Sequence, residues 1–211
     1  MTDNFERFRP FMQLPKEEGG DAYYVIELVR RGKDCPDLPA ANYHFKNYYI
    51  DTLGKYDKVQ EEIRILCRTL RLRAYVSVNR KSFRQVTMNT IAEMSRRAAL
   101  DDFRRPYAVF ESCSGKFVDK DDKHWVVDID NCSTPGVFGD RNKSWDCRDI
   151  LSICQPTGDK VELVMPTRSG IHLITKPFDL QHFKELCNRG FGWDDIPEIK
   201  KNHLTLLFED L

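Results

Sequence analysis

The sequence predicts an α+β fold built on an antiparallel sheet, and three observations lead to it. Short β-rich runs at Trp125–Asp130, Val161–Met165, Ile171–Lys176 and Leu204–Phe208 are too brief for helices. Two of them flank the turn Pro166–Gly170, which reads as a β-hairpin with Gly170 suited to positive φ. The second half therefore runs strand, loop, two strands, helix, strand, without the strict alternation of a doubly wound sheet.

The remaining elements follow in order. The first 55 residues are loop-rich, punctuated by Pro10, Pro15, Gly19–Gly20, Gly32, Pro36 and Pro39, with Tyr23–Arg30 a short strand or a helical turn. Val59–Leu70 places Val59, Ile63, Leu66, Cys67 and Leu70 on one side and predicts a helix. Ala74–Asn79 alternates as a strand, Phe83–Leu100 is helical, and Tyr107–Glu111 reads as a strand ending in a Ser114–Gly115 turn. A short helix is expected around Cys147–Ile153, and another over Asp179–Asn188, with Asp179 at its start and Arg189–Gly190 closing it.

The chain has 211 residues, 41% of them hydrophobic, and a mean hydropathy of −0.55. No apolar run approaches the roughly 18–20 residues that cross a bilayer, and the opening MTDNFERFRP has no apolar signal core. Seven cysteines without tight pairing suit reduced thiols, so the expectation is a cytoplasmic protein without a membrane partner. Net charge is zero but unevenly spread. Gln60–Pro106 carries eleven basic against five acidic residues, whereas Glu111–Asp159 carries ten acids against six bases. Such neighbours suit a polyanion beside a cation site, or simply two solvated faces.

Two motifs carry chemistry. In Trp125–Asp130, alternation directs Trp125, Val127 and Ile129 to a core and projects Asp128 and Asp130 from the other face, about 6.6–7 Å apart. Two acids so placed can bridge divalent ions, although a lone DxD also describes a solvated strand end. Without metal, their mutual repulsion should raise at least one carboxyl pKa. An EF-hand loop does not fit, since Ser133 and Gly139 stand where glycine and glutamate are needed. The second motif is the hairpin turn, where Arg168, Ser169, Gly170 and His172 gather donors that suit a phosphate; a histidine on a strand is also a common structural residue.

WVVDID followed about forty residues later by LVMPTRSGIHLIT resembles the archaeo-eukaryotic primase superfamily. The resemblance covers roughly residues 70–211. It implies a single catalytic domain over 1–211, with an N-terminal α/β lobe (about 1–105) and an RRM-like lobe (about 106–211) bearing the motifs. It implies a metal-dependent nucleotidyltransferase, adding nucleoside triphosphates on a single-stranded DNA or RNA template, with a helicase or other replication protein as a further partner. Asp128 and Asp130 would bind two Mg²⁺ or Mn²⁺ ions. Ser169, Gly170, His172 and Arg168 would hold the nucleotide phosphates, with His172 also counted in the catalytic centre. The family's third acid corresponds to Asp195, with Glu198 and Asp194 as competitors. Where many members have an arginine on the last strand, this chain has Thr205.

Other readings are open. Arg80, Lys81 and Arg84 follow a strand and open a helix, which suits them to template phosphates or to plain solvation. Tyr75, Tyr107 and Phe110 suit base stacking or a core. A zinc module around Cys113, His124, Cys132, Cys147 and Cys154 is disfavoured by the lack of close CxxC pairs. A non-catalytic nucleic-acid-binding module on the same sheet is the principal alternative. A 2H-type phosphoesterase is a distant third, because His203–Thr205 supplies only half of its repeated pattern.

Overall fold

The computed structural model describes residues 1–34, 42–116, 122–130, 143–190 and 196–210. It is α+β, with two antiparallel sheets and six helices among the described residues. None of those helices is long and apolar enough to cross a membrane.

The first sheet is ordered β1 (Thr2–Asp3), β10 (Leu204–Glu209), β4 (Arg73–Ser77), β2 (Ala22–Arg30), β3 (Tyr43–Ile50), with β5 (Lys81–Ser82) also paired to β2. Alternation along AYYVIELVR explains why β2 is buried on both sides. Tyr24, Ile26 and Leu28 face α2 (Leu53–Leu70), which buries Tyr56, Ile63 and Cys67 against them. The short α1 (Phe5–Phe8) adds two phenylalanines to this core. Thr52 caps α2 by accepting from the Lys55 amide, and Arg71 ends it in the left-handed conformation. On the opposite face Tyr23 and Val25 are covered by Val86 of α3 (Phe83–Ala99) and by Val109 and Cys113 of α4 (Pro106–Lys116).

The second sheet is ordered β7 (Val161–Pro166), β8 (Gly170–Thr175), β6 (Trp125–Asp130), β9 (Glu198–Lys201). Val127, Ile129, Ile171 and Leu173 pack on α5 (Lys143–Ile153) and α6 (Leu180–Gly190) through Ile150, Leu151, Phe183 and Cys187, joined by Cys154 just past the end of α5. Asp179 accepts from the Gln181 and His182 amides and so opens α6. The other face sends Val126, Met165 and Ile174 into the first sheet's core. Fully burying such side chains is worth roughly 1.5–3 kcal/mol each, so this contact fixes one sheet against the other.

Several expectations are corrected. Residues 107–111 and the Ser114–Gly115 pair are helical, not a strand and a turn. Pro106 suits a first helical position, and Val109 and Cys113, four residues apart, reach the same buried cluster. The first 55 residues hold two long strands; β3 was hidden because YHFKNYYI is largely exposed and polar at its start. An additional strand, β9, follows α6, and the last strand belongs to the first sheet. Asn202, at φ 50°, makes the corner between them and donates to the Gly115 carbonyl at 2.7 Å. Gly170 has no positive φ: it lies opposite Asp130, where any Cβ would collide with the Ile129 carbonyl oxygen. Close strand approach is what glycine permits there.

Candidate active-site cleft

Register assembles the site. On β6, Val126, Asp128 and Asp130 share one face; β8 places Ile174, His172 and Gly170 directly opposite them. On the other flank β9 sets Glu198 opposite Asp128 and Lys200 opposite Val126. The face is thus apolar at Val126 and Ile174 and becomes ionic two residues later, where the sheets part around a cavity of about 920 Å³. Asp128, Asp130, Arg168, Ser169, His172 and Glu198 all line it. The two expected motifs and one expected competitor acid therefore meet in one cleft.

Asp128 is the hub. Its Oδ1 lies 3.2 Å from His172 Nε2, and its Oδ2 accepts from Lys200 Nζ at 2.7 Å. Lys200 also reaches Glu198 Oε2 at 3.1 Å. His172 is held from behind, with Nδ1 3.0 Å from the buried Thr205 hydroxyl. Because Asp128 can only accept, Nε2 carries a proton, and Thr205 fixes the ring so that this proton faces the carboxylate. Burial alone would push the Asp128 carboxyl up. Hydrogen bonds and charge from His172 and Lys200 outweigh it and hold the group well below the usual carboxylate range. The expected upward shift from acid–acid repulsion is thus reversed at Asp128, because the Lys200 ammonium and the His172 ring both bond its carboxylate.

Around this hub, Ser169 Oγ lies 3.4 Å from Asp130 Oδ1 at the hairpin tip. Arg73 lies almost buried in the opposite wall, 2.8 Å from Asp34 and 3.2 Å from Glu209, and the largely exposed Arg168 approaches Asp34 at 3.9 Å. Tyr75 also lines the cleft. Tyr107 is exposed on α4, and Phe110 packs on Tyr49 with ring centroids 5.5 Å apart.

The three basic residues considered for a template diverge. Arg80 pairs with Asp122 at 2.8 Å, Lys81 is buried beside a separate cavity, and Arg84 is exposed at the start of α3. Asp194, Asp195 and Cys132 lie outside the described residues. Cys147 and Cys154 are buried in the second sheet's core, whereas Cys113 belongs to the cluster under α4.

Sequence reasoning missed Lys200, Arg73, Asp34 and the role of Thr205. For Lys200 a signal existed: Glu198-Ile199-Lys200 alternates as a strand with its two charges on one face. Arg73 and Asp34 carry no comparable pattern, since they meet only across the fold.

The donor set suits a cation. Two carboxylates from adjacent strands converge on one Lys200 ammonium, with Asp130 and Glu198 on the same cavity wall. Among the described residues no three acidic, imidazole or thiol side chains group so as to hold a metal ion. Comparison with protein-family models, curated proteins and solved structures gives no match for this chain.

Proposed function

We propose that the chain is a metal-dependent nucleotidyltransferase resembling the archaeo-eukaryotic primases, joining nucleoside triphosphates on a single-stranded template. The supporting observation is the register Asp130–Gly170, Asp128–His172 and Asp128–Glu198, which brings both acids, the hairpin donors and a third carboxylate to one cleft. In this reading Asp128, Asp130 and Glu198 hold divalent cations. When bound, these supply charge stabilisation at the α-phosphate and at the departing pyrophosphate. Lys200 swings from the carboxylates toward a phosphate oxygen. His172 donates its Nε2 proton to a phosphate, Thr205 keeps the ring aligned, and Ser169 and Arg168 close on the triphosphate from the hairpin.

Labelled-nucleotide incorporation on a single-stranded template with Mn²⁺ tests this. Wild type should extend or initiate a strand. Asp130→Asn should lower the rate at least 100-fold, without change in melting temperature, because Asp130 is exposed. Absence of both incorporation and nucleotide binding in wild type would overturn the reading. One observation favours the alternative of a non-catalytic nucleic-acid-binding module: Lys200 already pairs with both Asp128 and Glu198. Oligonucleotide binding that ignores divalent cations would select it.

A further inference from the structure

A second cavity, of about 270 Å³, opens on the same face of the first sheet as the cleft. Along β2, Val25 and Glu27 line this cavity, whereas Val29 lines the cleft. Along β4, Ser77 lines the cavity and Tyr75 and Arg73 line the cleft. His203 and Leu204 belong to both walls, so the two spaces are neighbours. Successive same-face residues on a strand stand about 6.6–7 Å apart, so the two linings meet within one such step along β2 and along β4.

Lys81 sets the chemistry of the second cavity. It is only 5% exposed, and among the described residues its ammonium makes no hydrogen bond or ion pair. Burial pushes it down to about 8, with Glu27 the opposing influence. Several neighbouring polar groups are already engaged. Ser77 Oγ accepts from the Val25 amide, Ser114 bonds the Tyr23 hydroxyl, and Asn202 donates to Gly115. Among the described residues, Lys81, Glu27 and Glu111 are the charged side chains of this lining that remain to meet a ligand, beside the ring of Tyr49. An occupant must accept from an ammonium and donate to carboxylates. A phosphate would face two acids, whereas sugar hydroxyls and base N–H groups satisfy all three.

We infer that the Lys81 cavity receives the uncharged nucleoside end of the nucleotide whose phosphates lie beside Ser169 and His172. This rests on the nucleotidyltransferase reading of the cleft. Titration calorimetry with Mg²⁺ present tests it, using a nucleoside triphosphate and inorganic tripolyphosphate as separate probes. Lys81→Met and Glu27→Gln should each weaken the nucleoside triphosphate about tenfold and leave tripolyphosphate within twofold. Circular dichroism verifies that both variants fold. Unchanged triphosphate affinity in both variants overturns the inference. So does an equal loss for both probes, which would make Lys81 a phosphate ligand. In either case the cleft reading survives as long as wild type binds tripolyphosphate. Wild type that binds neither probe overturns both.

Discussion

The two cavities on the first sheet's face hold charge in opposite ways. In the cleft, Asp128 is engaged by His172 and Lys200, Lys200 by a second acid, and Arg73 by Asp34 and Glu209. In the neighbouring cavity, Lys81 is buried with no such partner among the described residues. Paired groups stabilise the fold and must be exchanged for a ligand. An unpaired buried charge destabilises the fold and leaves its hydrogen bonds for a ligand. One face thus carries both a closed and an open ionic arrangement.

Removing each charge should therefore have opposite signs. Asp128→Ala leaves Lys200 and His172 without their shared carboxylate and should cost about 3 kcal/mol at pH 7, read by urea denaturation. The folded-state pKa of Asp128 lies below its unfolded value, so its stabilisation is complete above the ordinary carboxylate range and lost as pH falls through the folded value. The gap between wild type and variant should accordingly narrow below about pH 4. A gap independent of pH would mean that the acid acts through packing.

Lys81→Met should instead stabilise the protein, by about 2 kcal/mol at pH 7 once relaxation and water entry are allowed for. Here the folded value is lowered to about 8 from 10.5, so the unfolded chain binds the extra proton between them. Wild-type stability from this group therefore rises from pH 8 toward pH 10.5, and the advantage of methionine should fade over that window. A destabilised variant at pH 7 would show that Glu27 already compensates the buried ammonium, and the contrast between the cavities would fall.

The smallest effect belongs to the support behind the hub. Thr205→Val keeps the shape and removes the hydroxyl that holds His172, which should cost about 1 kcal/mol of stability. Thr205→Ser should restore it. Equal losses in both variants would assign the effect to packing on the strand and leave the ring orientation to Asp128 alone.

Much of the second sheet could be read from one dimension. Trp125–Asp130 alternates strongly, the Val161–Thr175 hairpin has its own turn, and Asp179 caps its own amides; each is a short-range pattern with a local cause. The 107–111 segment was misread for the complementary reason. Its aromatic and β-branched residues suit a strand, but Val109 and Cys113 find the same buried cluster only when the backbone coils beneath Tyr23 and Val25.

The sequence by itself determined that Asp128 and Asp130 share a strand face and that Ser169 sits in a tight turn with His172 just after it, because side-chain period and turn chemistry are local. Tertiary structure alone decided that Glu198 and Lys200 lie beside Asp128, that Thr205 backs His172 from another sheet, and that Lys81 faces a cavity and not open solvent. Those facts depend on strand order and register, which are set by which apolar faces bury together across more than a hundred residues of chain.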